Sequence, residues 1–217
     1  MKFTHNNELS EAPISFAIVA IPSEPLYSAV AKASMAITER CKNNNIIDNE
    51  TFPCHISLLI SGGNEVVLQE ISKDLKDKRF KAKNELMATS IFKGGRGFIG
   101  LQVEGQFIWQ LHRAILSLVQ KALHDKFLIR HHLIPRWARL SDAERTQIRR
   151  YGSYHVAGNF DPHFSIAQVE DTNLDQMAEL AVQHIKTPQK FSISQLQIVI
   201  VGHENERWDV FFENDII

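Results

Sequence analysis

Several features that would place the protein in a specialised class are scarce or missing from its sequence. Only two of the 217 residues are cysteines, Cys41 and Cys54, so a framework of disulfide bonds is not expected. No apolar run approaches the length of a membrane span, and the polar first residues lack the hydrophobic region of a signal peptide. The net charge of −1 gives the molecule no overall attraction to nucleic acid or to a membrane. We therefore expect a globular protein of the cytoplasm.

No stretch rich in proline, glycine or serine divides the chain. We expect a monomer with one two-lobed domain over residues 1–217, of which residues 1–12 form a flexible tail. Apolar residues at helical or strand-like spacing predict three elements that lie outside the motifs described below. The predicted elements are a buried strand at 15–21 and helices at 26–37 and 108–122.

Two short segments share the pattern His-x-Ser-aliphatic, and both lie in apolar runs typical of strands. The first contains His55 and Ser57, and the second contains His163 and Ser165. Side chains alternate between the two faces of a strand, so the histidine and the serine of each motif share one face. An imidazole beside a hydroxyl on a rigid element is suited to binding and protonating a phosphate. The alternative is a pair of strand-edge histidines with neighbouring serines, but two occurrences favour function over chance.

The order of predicted elements repeats after each motif. A helix and then two strands follow, although the residues themselves are not similar. We therefore expect an α+β fold with two pseudo-symmetric antiparallel sheets, flanked by helices around a central cleft to which each lobe contributes one motif. The helical patterns cover residues 68–75 and 174–185, and the strand patterns cover residues 85–92, 98–103, 191–201 and 208–212.

This arrangement resembles the two-histidine (2H) phosphoesterases, a superfamily that includes LigT-like RNA 2′,5′ ligases and 2′,3′-cyclic phosphodiesterases. The resemblance rests on paired His-x-Ser/Thr motifs about a hundred residues apart and covers the chain from about residue 14 to 212. It implies that His55, Ser57, His163 and Ser165 occupy the catalytic positions. Many members carry threonine where this chain has serine, and serine keeps the hydroxyl.

The resemblance implies a phosphodiesterase that acts on a nucleotide or an RNA end with a 2′,3′-cyclic or 2′,5′-linked phosphodiester. One neutral histidine would take a proton from the attacking water or ribose hydroxyl, and the other, protonated, would give one to the leaving oxygen. The serines would donate hydrogen bonds to the non-bridging oxygens. Two alternatives stay open: an RNA 3′→5′ exonuclease of the same superfamily, and a module that binds nucleotides without turning them over.

The segment before the second motif is locally basic and supplies candidate substrate contacts. Its cations are well placed to attract phosphate, and aromatic rings can stack on bases, so we consider Arg136, Tyr151 and Tyr154 as substrate-binding residues. The alternatives are an ordinary solvated face for the cations and core packing for the tyrosines. The basic residues are Lys126, Arg130, Arg136, Arg139, Arg145, Arg149 and Arg150.

Other chemistry finds little support in the sequence. The chain has no His-Glu-x-x-His or Cys-x-x-Cys pattern, and the pair His131-His132 lacks an acidic partner at ligand spacing, so we expect neither a metal nor another cofactor. Residues 94–97 are glycine-rich but lie between two predicted strands, which favours a hairpin turn over a phosphate loop. Cys54 precedes His55 on a strand and is expected to pack in the core.

Overall fold

The computed structural model describes residues 10–42, 47, 52–80, 83–124, 128–201 and 208–216. The strands within these residues are β1 (Ser10–Glu11), β2 (Ile14–Pro22), β3 (Ile56–Gly63), β4 (Leu86–Gly94), β5 (Phe98–Glu104), β6 (Leu128–Ile129), β7 (His163–Gln168), β8 (Gln189–Phe191), β9 (Ile193–Val201) and β10 (Trp208–Asp215). The α-helices are α1 (Leu26–Arg40), α2 (Glu65–Lys76), α3 (Gln106–Ala122), α4 (Asp142–Tyr151) and α5 (Leu174–His184), and 3₁₀ turns cover His131–Arg139, Ala157–Asn159 and Asp171–Asn173.

Eight of the strands form one antiparallel sheet in the order β10-β9-β2-β3-β7-β5-β4-β8. The two central strands, β3 and β7, carry the two motifs and are in register at Ile56 and Phe164. Long ladders join the strands on either side of this short contact, so the sheet consists of two four-stranded halves. The predicted α+β class is confirmed, and the two predicted sheets are the halves of one continuous sheet.

The two halves exchange strands along the chain. β4 and β5 follow the first motif in sequence but pair in the half that contains β7, whereas β9 and β10 follow the second motif but pair in the half that contains β2 and β3. Each half of the sheet is therefore assembled from both parts of the chain, an exchange that the repeated element order does not predict. Apolar alternation predicts that a segment is a strand, but it does not specify which neighbour that strand will pair with.

The helices cover one face of the sheet and leave the motif residues on the other. In β2, Phe16, Ile18 and Ala20 belong to the main core, and the alternate residues Ala17 and Val19 belong to a smaller cluster. The main core also contains the apolar sides of the α-helices other than α4, with α1 packed against α5 and α2 against α3. We call the opposite face, on which Val19 pairs with Ser57, the motif face.

Side-chain caps and a tight turn define several element ends. Asn64 caps α2, its Oδ1 accepting from the backbone N–H of Val67 at 3.0 Å. Ser141 and Glu144 form a capping box at the start of α4, and the glycine-rich segment is the turn between β4 and β5.

Residues 10–12 of the predicted tail are held in the fold. Ser10–Glu11 pairs in parallel with Leu128–Ile129, and the N–H of the buried Ala12 donates to the carbonyl of Ile129 at 2.8 Å. Residues 1–9 and Lys126 lie outside the described residues, as do residues 202–207 between β9 and β10. Of the helices described, none is both long and apolar enough to cross a membrane.

Candidate active site

The central strand pair brings the four motif residues together on the motif face. Ile56 lies opposite Phe164, and both side chains are 0% exposed. In an antiparallel pair, the residues on either side of such a position lie beside each other, so Ser57 is beside His163 and His55 is beside Ser165. All four of these side chains are half-buried. Their assembly at one place is observed, while their catalytic roles stay predictions.

Each histidine ring is oriented by the backbone two residues before it. His55 Nδ1 donates to the carbonyl of Pro53 at 2.9 Å, and His163 Nδ1 donates to the carbonyl of Asp161 at 2.8 Å. A carbonyl oxygen can only accept, so Nδ1 carries hydrogen in both rings. Nε2 is then the nitrogen of each imidazole that can take up or release a proton. The two motifs thus share one local geometry as well as one sequence pattern.

The electrostatic environment of His55 favours its neutral form. Burial lowers its pKa to about 4, against the opposing effect of the hydrogen bond to Pro53, and the positive charge of His163 lowers the pKa further. The charge effect agrees with the strand register, which places the two imidazoles close to each other. Near neutral pH, His55 is therefore an unprotonated imidazole.

Aromatic rings surround both histidines, and the sequence analysis did not identify them. Phe52 contacts His55 edge-on at 5.4 Å between ring centroids, while Phe92 and Phe98 contact His163 at 5.8 and 5.5 Å. All three phenylalanines are half-buried. The signal available in the sequence was the position of Phe92 and Phe98 on either side of the predicted hairpin.

A glycine allows these rings to lie beside the second motif. Gly100 pairs with Ser165 on one side and with Phe92 on the other. A Cβ added at Gly100 would lie 2.5 Å from the ring of Phe92 and 2.9 Å from that of Phe98. Any larger residue would therefore push the rings away from this part of the sheet.

Gln102 supports the loop that orients His163. It pairs with His163 across β5 and β7, and its Nε2 donates to Asp161 Oδ1 at 2.9 Å and to the carbonyl of Pro162 at 3.3 Å. The Asp161 carbonyl in turn accepts from His163 Nδ1. Sequence reasoning missed Gln102 because only the strand register places it beside the motif.

The candidate substrate contacts of the basic segment lie elsewhere in the fold. Arg136 is exposed in the 3₁₀ turn His131–Arg139. Tyr151 packs against the main core, and its carbonyl accepts from Ser61 Oγ at 2.9 Å. Tyr154 packs on a small cluster formed by Ile129, Leu133 and Ile148. The tyrosine contacts are those of packed side chains, and a role in substrate binding stays a prediction.

Two other arginines of this segment hold it together. Arg145 donates from Nε to the carbonyl of Trp137 at 3.1 Å and from Nη2 to that of Ala138 at 3.2 Å. The guanidinium of Arg149 lies 5.7 Å from the centre of the Trp137 ring. These contacts tie α4 to the preceding 3₁₀ turn.

The remaining chemical groups fit structural roles. Cys54 is buried, and burial raises its pKa well above the ordinary value, so it is a protonated thiol in the core. Among the described residues, no group of three or more histidine, cysteine, aspartate or glutamate side chains could hold a metal ion.

Comparisons with known proteins identify the fold. No protein-family model and no curated protein matches the chain in sequence. Solved structures that match in shape include E. coli LigT in apo form, with a TM-score of 0.56, 10% identity and coverage of 94% of this chain and 98% of that chain. TT0787 of Thermus thermophilus matches with a TM-score of 0.54, 12% identity and coverage of 93% and 97%. A structure described as a phosphoesterase matches with a TM-score of 0.53, 10% identity and coverage of 94% and 99%. The chain therefore has the fold of LigT.

Proposed function

We propose that the protein is a metal-independent phosphodiesterase that cleaves a 2′,3′-cyclic or 2′,5′-linked phosphodiester of a nucleotide or an RNA end. The observation that carries the proposal is the pair of neighbouring histidines whose Nδ1 atoms both donate to backbone carbonyls. This arrangement gives one site two imidazoles that exchange protons through Nε2, which is what general acid–base cleavage requires.

The environment of the site distinguishes the two roles. His55 is the general base, because its lowered pKa keeps it neutral and able to accept the proton of the attacking oxygen. His163 is then the general acid that protonates the leaving oxygen. Ser57 and Ser165 donate to the non-bridging oxygens and stabilise the charge that develops on the phosphoryl group.

The shared fold supports a phosphate ester as the substrate. E. coli LigT has been solved in complexes with phosphate and with 3′-AMP, and these structures match this chain with TM-scores of 0.52 and 0.51. The phenylalanine rings around the histidines add a reason to expect a nucleoside. Base–aromatic stacking stabilises bound nucleic acid by about 1–3 kcal/mol per base, and Phe92 and Phe98 lie beside His163.

The proposal is tested with pure protein and a strong chelator. The substrate panel contains 2′,3′-cyclic mononucleotides, 2′,5′ dinucleotides and RNA with an unmodified 3′ end. We expect turnover of the first or second class in the chelator. We expect His55→Ala and His163→Ala each to lose about 10²–10⁴-fold in rate, with folding checked by circular dichroism.

His184→Ala is the matched control, since His184 is exposed on α5 and should keep full activity. Full activity in either motif variant would overturn the two-histidine mechanism. Activity that disappears in chelator and returns with a divalent ion would indicate a metal-dependent enzyme. Release of nucleotides from the unmodified 3′ end alone would favour the exonuclease.

A further inference from the structure

A second group of basic side chains lies on the motif face, at the far end of β3 from the histidines. Arg130 packs directly on this strand: a Cβ added at Gly62 would lie 3.1 Å from Arg130 Cγ. Gly62 pairs with Ser15, which shares a face of β2 with Val19, the partner of Ser57. Arg130 is therefore on the face that carries the motifs. The partners of Ser57 and Gly62 on β2, Val19 and Ser15, are four residues apart because the register shifts by one residue between them. Four residues correspond to about 13 Å at 3.3 Å per residue.

The guanidinium of Arg130 lacks an anionic partner among the described residues. Its Nε is buried without a hydrogen-bond partner. The acidic side chains of this region are engaged elsewhere: Glu11 accepts from His131 Nδ1 at 2.8 Å, and Glu144 closes the capping box of α4. An unpaired buried charge is costly, whereas the planar fork of arginine is well matched to phosphate. A bound anion would satisfy this group.

Two histidines lie close enough to Arg130 to be affected by its charge, and a second arginine acts on one of them. Burial lowers the pKa of both His132 and His155, and the positive charge of Arg130 lowers both further, with Arg136 adding to the effect at His132. Glu144 opposes the shift at His155. Burial also lowers the pKa of Arg130, to about 10, which leaves it charged at neutral pH. The lowered pKa values make both histidines neutral near pH 7, so they can donate or accept hydrogen bonds while the positive charge of the site comes from Arg130 and Arg136.

We infer that Arg130, His132 and His155 form a subsite for a backbone phosphate of a single-stranded oligonucleotide whose reactive end occupies the two-histidine site. The inference rests on the proposed function and names a longer substrate for it. A separation of about 13 Å corresponds to about four nucleotides stacked at 3.4 Å each. Arg136 and Tyr154, predicted from the sequence as substrate contacts, flank this subsite, since the Tyr154 ring lies 4.2 Å from that of His155.

The first test uses the unaltered protein and the length of the ligand. Single-stranded DNA oligomers of two to eight nucleotides, without a 5′ phosphate, present only backbone phosphates and lack the 2′-hydroxyl. Isothermal titration calorimetry should show affinity that rises with length to about four nucleotides and then levels off. Affinity that does not depend on length between two and four nucleotides would overturn the subsite.

The second test removes the charge of Arg130. Arg130→Gln should weaken binding of a DNA pentamer about tenfold and reduce the log–log salt slope of its binding by about 0.7, the value for one phosphate contact on a single strand. Arg130→Lys should keep the slope and lose part of the affinity, because it keeps the charge without the fork. Arg79→Gln is the control, since Arg79 is exposed on another part of the surface, and it should bind as the wild type does.

The outcomes separate this inference from the proposed function. Wild-type affinity and slope in Arg130→Gln would refute the subsite even if cyclic nucleotides are cleaved. Binding of the pentamer that depends on Arg130, in a protein that cleaves no phosphodiester of the panel, would refute the enzyme and leave a nucleic-acid-binding site. If Arg130→Gln does not fold, the length series with the wild type and the Arg130→Lys variant decide the question.

Discussion

At the scale of single residues, burial makes His55 suited to one role. Both motif histidines donate from Nδ1 to a backbone carbonyl, so the tautomer does not distinguish them. Burial together with the nearby charge of His163 lowers the pKa of His55 to about 4. A pair of ordinary imidazoles predicts a bell-shaped pH profile with both limbs near neutrality. The lowered pKa of His55 moves the expected acid limb of this profile to lower pH.

We predict that the acid limb of kcat/KM lies well below pH 6.5, near pH 4–5. The base must be neutral to accept a proton, and His55 becomes protonated only as the pH falls toward its lowered pKa. Initial rates with a cyclic mononucleotide in chelator, measured between pH 4 and 9, check the position of the limb. An acid limb at pH 6.5 or above would show that His55 is not the base.

At the scale of secondary-structure elements, a buried histidine outside the motifs connects three parts of the fold. His112 of α3 donates from Nδ1 to the carbonyl of Leu58 in β3 at 2.9 Å, and its Nε2 accepts from the N–H of Ala157 at 3.1 Å. Its ring also stacks on Phe160, with centroids 3.8 Å apart. The accepting Nε2 requires a neutral ring, in agreement with a pKa lowered mainly by burial. His112 therefore holds the first motif strand and the loop before the second motif in one arrangement.

We predict that His112→Phe destabilises the fold by about 2–4 kcal/mol, because it leaves one buried carbonyl and one amide without partners. In the wild type, the lowered pKa means that the unfolded chain binds more protons below pH 6.5. The free energy of unfolding should then decrease as the pH falls from 6.5, and this decrease should be smaller in the variant.

Urea unfolding of both proteins between pH 5 and 8 measures these changes. His124→Phe replaces a histidine that is exposed at the end of α3, so it serves as the control and should keep the wild-type pH dependence. A His112→Phe variant with wild-type stability at pH 7 would contradict the structural role of this residue.

At the scale of the whole molecule, the two halves of the sheet meet at the place where the chemistry is proposed. The contact between β3 and β7 at Ile56 and Phe164 joins the halves, and the same contact brings the motifs together. The main core extends across it, since Ile56, Phe164 and Leu86 belong to one cluster. Strand exchange strengthens this link, because each half contains strands from both parts of the chain.

We predict one cooperative unfolding transition for the molecule and a large effect of Phe164→Ala. Removal of this fully buried ring should lower the free energy of unfolding by about 3–5 kcal/mol, since the ring packs in the core at the junction. Phe212→Ala, on the edge strand β10 and only half-buried, should cost less.

Urea unfolding followed by tryptophan fluorescence and by far-ultraviolet circular dichroism measures both effects. Coincident transitions with the two probes are expected for a two-state unit. Two separate transitions in the wild type would show that the halves unfold independently.

Local sequence patterns were sufficient to predict the structural features that depend only on residues near each other in the sequence. Alternation placed His55 with Ser57 and His163 with Ser165 on common strand faces, and apolar periodicity located α1, α2, α3 and α5. These signals are local because the side-chain periodicity of a helix or a strand repeats within a few residues of sequence.

Tertiary contacts determined the features that no local sequence pattern specifies. Strand pairing assigned β4 and β5 to the half of the second motif and brought Gln102 beside His163. Burial lowered the pKa of His55, and packing of Arg130 on Gly62 placed a cation without an anionic partner among the described residues on the motif face. Pairing partners, desolvation and the neighbours of a charge all depend on residues distant in sequence, so they are defined only once the chain has folded.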